Sequence, residues 1–265
     1  MKQGKIRLDA ALVERGLCQT RTNAQALIMA GEVRVNGQSV LKASHQVKPE
    51  DILTLKEKLK YVSRGGLKLE KALRVFPIDV QGAVCVDVGA STGGFTDCLL
   101  QNGAKHVYAV DVGHGQMAYS LRNDERVTCM EKYNARYMQV EDIEPVDFAC
   151  TDVSFISLEL ILPPIYRCMK DGAQAVALIK PQFEAGREQI GKGGVVRDAK
   201  IHEQVCCKIL SFAQSLGFSV KGLEESPIMG PKGNREFLLY LQKSGEQLSA
   251  SALQALALMA VQAGR

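Results

Sequence analysis

The stretch Val84–Asp97, VCVDVGASTGGFTD, constrains the fold more than any other part of the chain. An apolar strand pattern ends in an acid and runs into a glycine-rich turn. Gly89, Gly93 and Gly94 allow the backbone to approach a ligand closely before a helix opens at about Phe95. One helix later a second apolar run, His106–Asp111, also ends in an acid. An acidic side chain roughly 20 residues beyond such glycines is where a ribose diol is held, which makes Asp111 the candidate for that contact.

The glycine spacing selects the cofactor. A dinucleotide fingerprint, G-x-G-x-x-G, packs its glycines to seat a pyrophosphate on the helix N-terminus. Here the order is G-x-x-x-G-G with Asp87 just ahead of it, which suits an amino-acid ammonium and carboxylate better. That favours S-adenosyl-L-methionine over NAD. The expected contacts are Asp87, Gly89, Ala90, Ser91, Gly93, Gly94, Phe95 and Asp111.

Charge divides the chain. Residues 1–60 carry 11 Lys+Arg against 6 Asp+Glu, whereas 61–265 carry 22 against 23. The basic excess therefore sits in the small N-terminal part, as expected of a module that meets phosphates. The 8 cysteines lack a C-x-x-C pair, and several fall inside apolar strand patterns, so they read as reduced core residues of a cytoplasmic protein. No metal site is expected from the spacing of the 4 histidines, and no secretory signal from MKQGKIRLDA. The uncharged run Gln247–Gly264 is too rich in glutamine, serine and alanine for a membrane span and reads as a surface-packed or frayed helix.

Residues 6–29 read as two helices, Ile6–Arg15 and a second capped by Thr20 or Thr22 and ended by Gly31. Val33, Val35 and Val40 alternate around Asn36-Gly37, the signature of a type I′ hairpin, and Asp51–Leu55 adds a strand. This segment, RLDAALVERGLCQTRTNAQALIMAGEVRVNGQSV with PEDIL after it, resembles the S4-type RNA-binding domain. The resemblance implies a surface for structured RNA, with Arg7, Arg21, Arg34 and Asn36 among its contacts.

After a charged joint, apolar strands alternate with helical patterns at 84–89, 106–111, 146–152, 173–180, about 218–224 and 236–242. That alternation predicts an α/β fold: a Rossmann-like, mostly parallel, doubly wound sheet behind a small α+β domain. The expected organisation is an RNA-binding domain over 1–58, a linker over 59–63, a catalytic domain over 64–245 and a helical tail over 246–265. Open sheets of this kind bind ligands at their strand ends, where the glycine loop, Thr151-Asp152 and Lys180-Pro181 converge.

Five segments, YVSRGGLKLEKAL, VDVGASTGGFTD, TDVSFISL, LIKPQFE and NREFLLYL, together resemble the FtsJ-like 2'-O-ribose methyltransferases. The S4-type domain followed by SRGGLKL narrows the resemblance to the TlyA or haemolysin-A-like family, over almost the whole chain. It implies a catalytic tetrad of Lys68, Asp152, Lys180 and Glu236, with Asp152 also near the cofactor. Lys71 shares a helix face with Lys68 and is its rival. Asn134 lies past the expected third strand, where such enzymes hold adenine, although a polar loop residue accounts for it equally well. The implied reaction transfers a methyl group from S-adenosyl-L-methionine to a ribose 2'-hydroxyl, of cytidine, in ribosomal RNA or ribosomal subunits. A ribose hydroxyl must lose its proton as it attacks, so Lys180 can serve as base or as a fixed cation facing the developing oxyanion. Two rivals stand beside this reading: an RNA-binding assembly factor with a vestigial methyltransferase fold, and a pore-forming haemolysin.

GREQIGK, 186–192, nearly spells a phosphate-binding P-loop but continues with Gly193 where Ser or Thr should reach magnesium. A mobile basic loop, with Arg187, Lys192 and Arg197 touching RNA phosphate, is one expectation there, and a plain linker accounts for the segment equally well.

Overall fold

The computed structural model describes residues 4–56 and 59–263. The chain divides into two compact units, with the boundary between Leu59 and Lys60.

In the first unit, β1 (Ile6–Arg7) leads into α1 (Leu8–Glu14) and α2 (Arg21–Met29), followed by β2 (Val33–Val35), β3 (Gln38–Ser39), β4 (Gln46–Val47) and β5 (Leu53–Leu55). Ile6 and Arg7 were expected to be helical but are extended, because they pair antiparallel with Val47 and Gln46. Thr20 caps α2 by accepting from the Asn23 amide at 3.1 Å. β2 lies between β3 and β5, and the turn at Asn36 (φ +50) and Gly37 (φ +81) has the two positive φ values of a type I′ hairpin. Leu8, Leu12, Ile28 and Val33 form the fully buried centre of this unit.

The second unit runs α3 (Gly66–Val75), β6 (Val84–Val88), α4 (Gly94–Gln101), β7 (His106–Val110), α5 (Tyr119–Arg122), β8 (Val127–Met130), β9 (Val146–Thr151), α6 (Leu158–Cys168), β10 (Met169–Ile179), α7 (Pro181–Glu184), α8 (Ala199–Ser215), β11 (Phe218–Glu225), β12 (Phe237–Lys243) and α9 (Ala250–Gln262). Its seven strands lie in the order β11-β12-β10-β9-β6-β7-β8. β10, β9, β6, β7 and β8 are mutually parallel, and β12 is antiparallel to both of its neighbours. The link from β11 to β12 is too short for a crossover helix, which fixes the antiparallel sense.

Both faces of the sheet are covered, as the alternation of side chains requires. Val84, Val86 and Val88 of β6 join Ala175, Ala177 and Ile179 of β10 in one core with α6, α8 and α9. Cys85, Val176 and Leu178 point to the opposite core, with Leu69 and Ala72 of α3 and Phe95, Cys98 and Leu99 of α4.

One expected segment differs. Residues 60–63 are not a free linker: Tyr61 is buried in the second core, and the Val62 amide donates to Asp97 Oδ2 at 2.8 Å. The C-terminal segment forms α9, which buries Leu253, Ala257, Ala260 and Val261 in the first core. Residues 186–198 make one short helical turn, Arg187–Gln189, and a Gly191–Val195 bridge, fastened by Asn234 to Val196 N (3.1 Å) and Gly194 O (3.0 Å).

Candidate active site

The C-terminal ends of β6, β9 and β10 open onto a cleft of about 610 Å³ lined by Asp87, Gly89, Phe95, Asp152, Lys180 and Glu236 among others. An adjoining hollow of about 380 Å³, lined by Asp111, Asn134 and Val153, shares Gly89, Ser91, Asp152 and Ser154 with it.

The glycine loop is built for close approach. Gly89 has φ +84, and a Cβ there would stand 3.1 Å from the Asp152 carbonyl oxygen. Gly93 has φ +98 and begins α4, and a Cβ on it would collide with the Leu121 side chain. Neither position accepts a larger residue without moving the loop. Asp87 is fully buried beneath this turn. Its Oδ2 accepts from the Thr96 amide (2.9 Å) and hydroxyl (2.7 Å), whereas Oδ1 has no hydrogen-bond partner among the described residues. Burial pushes the Asp87 carboxyl up to about 7, against the lowering effect of the Thr96 hydrogen bonds. A buried, half-satisfied carboxylate beside a glycine cradle fits the ammonium of an amino-acid cofactor.

Asp111 stands at the far end of the loop and accepts from the Ser91 amide (2.8 Å) and the Gly113 amide (2.7 Å). Each carboxylate oxygen retains a further lone pair for a diol. The following loop is fastened by Glu131, which accepts from Gly115 N at 2.8 Å and is pulled down to about 2, chiefly by the Arg122 guanidinium. Asn134 lines the second hollow, and its Oδ1 accepts from Arg136 N at 3.1 Å.

Lys68, Asp152, Lys180 and Glu236 meet in the larger cleft. Lys68 Nζ lies 3.0 Å from Asp152 Oδ2 and 2.8 Å from Glu236 Oε2. Lys180 Nζ pairs with Asp152 Oδ1 and lies 3.0 Å from Ser154 Oγ. Asp152 thus bridges the two lysines. Burial opposes charge on Lys68, but the facing Asp152 and Glu236 carboxylates outweigh it and leave the ammonium raised. Burial likewise pushes Asp152 up, and Lys180 and Lys68 more than reverse it, leaving its carboxyl lowered. Lys71 turns elsewhere, donating to the Glu225 carbonyl at 2.6 Å and lying 3.3 Å from Glu224.

Sequence reasoning overlooked Ser154 and the Ser63–Gly65 segment, both of which line the cleft. Their signal was present in TDVS and SRGG, which were read only as motif text around the charged residues.

In the first unit Arg7 and Arg21 converge on the buried Asp9. Arg7 reaches it through Nε and Nη2, each at 3.0 Å, Arg21 through Nη2 at 3.0 Å, and Gln25 at 2.8 Å. Arg34 is exposed on β2. Asn36 is occupied internally: it donates to Asp51 Oδ1 (2.9 Å) and accepts from Ile52 N (2.8 Å), tying the hairpin turn to the next segment. Arg187, Lys192 and Arg197 are all exposed.

Comparison with known proteins places this geometry in a family. Residues 61–243 match the FtsJ-like methyltransferase domain and residues 6–53 the S4 domain. The "16S/23S rRNA (cytidine-2'-O)-methyltransferase TlyA" of Mycobacterium tuberculosis (strain ATCC 25618 / H37Rv) is 45% identical over 254 residues, covering 94% of this chain and 95% of that protein. Hemolysin A of Brachyspira hyodysenteriae is 45% identical over 237 residues, covering 89% and 99% respectively. The solved structure "Putative hemolysin from Streptococcus thermophilus" is 50% identical with a TM-score of 0.74, covering 98% of this chain and 96% of that one. The S-adenosylmethionine-dependent fold, the S4 domain and these relatives agree, and the chain belongs to the FtsJ-like methyltransferase family, in its TlyA branch.

Proposed function

We propose that the protein methylates the 2'-oxygen of a cytidine ribose in ribosomal RNA, using S-adenosyl-L-methionine, and that it works in the cytoplasm where ribosomes are. The observation that carries the reading is the convergence of Lys68, Asp152, Lys180 and Glu236 beside a glycine cradle with a half-satisfied Asp87. The cofactor supplies an electrophilic methyl group on a sulfonium. Asp87 would hold its ammonium, Gly89–Phe95 would accommodate its amino-acid end, Asp111 its ribose, and Asn134 its adenine.

The remaining work falls to the tetrad. The hydroxyl and the methyl group must be held in line, and the hydroxyl proton must leave. In this proposal Lys180 meets the hydroxyl as a fixed ammonium that stabilises the developing oxyanion, and the proton leaves to solvent. The lysine's countercharge, Asp152, is shared with Lys68, so Lys180 has no carboxylate to itself. Glu236 balances Lys68 from the other side and keeps the cluster neutral. In the first unit, Arg7, Arg21 and Arg34 supply phosphate contacts, and Arg187 and Lys192 add others near the catalytic unit's surface. The N-terminal unit docks the RNA in this scheme, and the second unit carries the chemistry.

The haemolysin names borne by two relatives suggest a second activity. Among the described residues, no helix is long and apolar enough to cross a membrane. The deciding experiment transfers radiolabelled methyl groups to ribosomal RNA, free or in subunits, with wild type and Lys180→Ala. Label that resists alkaline cleavage at one ribose, and is lost in the variant, supports the proposal. No label on any of these substrates, from folded protein, overturns it in favour of a binding factor.

A further inference from the structure

Lys180 has a neighbour outside the tetrad. An ammonium offers three N–H directions. In this protein one side of the ammonium lies against Asp152 Oδ1 as an ion pair, and one N–H donates to Ser154 Oγ at 3.0 Å. The Asp152 carbonyl oxygen, at 3.5 Å, sits at the outer limit of a hydrogen bond and holds the third only weakly. The weakly held direction is the one left for a substrate.

The loop bearing Ser154 is braced rather than loose. Phe155, immediately after it, has φ +64, a left-handed conformation that bulky residues avoid. Such a conformation persists only where the surroundings enforce it. At the loop's far end, Ser157 Oγ donates to Glu184 Oε2 (2.6 Å) and Leu158 N to Glu184 Oε1 (2.8 Å). Glu184 is buried and lies on α7, the short helix that begins directly after Lys180. The ends of β9 and β10 are therefore tied together, and the separation between Ser154 and Lys180 is set by that tie. An idle loop hydroxyl would satisfy itself locally, as serine does in turns. Ser154 instead accepts from a lysine on another strand and faces both parts of the cleft.

The geometry points to Ser154 as a positioning residue for methyl transfer: its hydroxyl fixes one Lys180 N–H and thereby turns the nitrogen's free direction toward the attacking ribose hydroxyl. This rests on the reading of Lys180 as the group that meets that hydroxyl.

The test uses the full chain and a ribosomal RNA substrate that wild type methylates, measured in single turnovers at saturating RNA and cofactor. Ser154→Ala is expected to slow transfer about tenfold or more, the loss of one hydrogen bond to a charged group, with both binding constants within about twofold. Ser154→Thr, which keeps the hydroxyl, should stay within about threefold of wild type. Adding Ser154→Ala to Lys180→Ala should slow transfer no further, because both changes act through one nitrogen. A Ser154→Ala rate equal to wild type, a Thr variant as slow as Ala, or a parallel loss of cofactor affinity overturns the inference while a slow Lys180→Ala leaves the underlying reading intact. A fast Lys180→Ala overturns both.

Discussion

Two aspartates in this molecule do the same thing with opposite consequences. Asp9 in the first unit and Asp152 in the second each bridge two cationic side chains. Around Asp9 the cations are arginines whose side chains remain 45% and 56% exposed. Around Asp152 they are lysines only 9% and 7% exposed. A guanidinium keeps its charge under all ordinary conditions and offers a rigid fork, so a half-exposed, pre-aimed pair suits phosphate contact. A buried lysine is different, because desolvation and its neighbours control whether it holds a proton. The bridging geometry is shared, and cation type and exposure suit one hub to the proposed docking and the other to the proposed chemistry.

The largest expected effect comes from the buried hub. Lys180→Ala should lower methyl transfer by about 10²–10³-fold, with cofactor affinity within about twofold, measured by label transfer and calorimetry. A transfer rate within tenfold of wild type would break the contrast. Asp152→Asn leaves Lys180 without its countercharge. It should slow transfer by about 100-fold or more and lower Tm by roughly 10 °C, since breaking a buried pair costs about 3–5 kcal/mol.

Next comes the cofactor's buried acid. Because burial pushes Asp87 up to about 7, its ionised form is lost as pH falls through that value. Cofactor affinity should therefore weaken about tenfold between pH 8 and pH 6, whereas Asp87→Asn should bind poorly and show no such dependence. A flat wild-type profile would remove Asp87 from the ammonium site.

At the exposed hub the effects shrink. Asp9→Asn should weaken RNA binding by about tenfold and leave transfer at saturating RNA unchanged. The Arg7 guanidinium, with Gln25 and Arg21, holds the Asp9 carboxyl well below its usual range despite burial. A lowered folded value gives stability that is present above the unfolded value of about 3.9 and lost on acidification below it. Wild type should lose this contribution below about pH 4, and Asp9→Asn should lack that step in thermal melts. The smallest change is Arg21→Lys, which keeps the charge but not the fork and should cost about threefold in RNA affinity. A larger loss there than in Asp9→Asn would mean the arginines act separately.

The sequence exposed what depends on local pattern. VCVDV alternates between two cores, and Gly89 and Gly93 occupy left-handed turns, so the glycine loop and its cofactor class were legible from residue types alone. The approach of Lys68 to Glu236 was not. Their contact spans the domain and has no periodicity, and only family resemblance paired them. Ile6–Arg7 was misread because a two-residue strand acquires its identity from Gln46–Val47, far along the chain. The internal contacts of Asn36 with Asp51 and Ile52 were hidden because polarity alone does not reveal which partners the fold brings to an amide. Ser154 escaped notice for the same reason, its partner lying on another strand.

The position of β12 bears on how the enzyme is made. This strand leaves the ribosome after β10 and β11 yet lies between them. Until it is synthesised, the facing edges of both strands lack their final partner, a state prone to mispairing in a nascent chain. The residue just ahead of β12 is Glu236, so the event that closes the sheet also delivers the last member of the tetrad. Sheet closure and completion of the charge cluster therefore depend on the same stretch of chain.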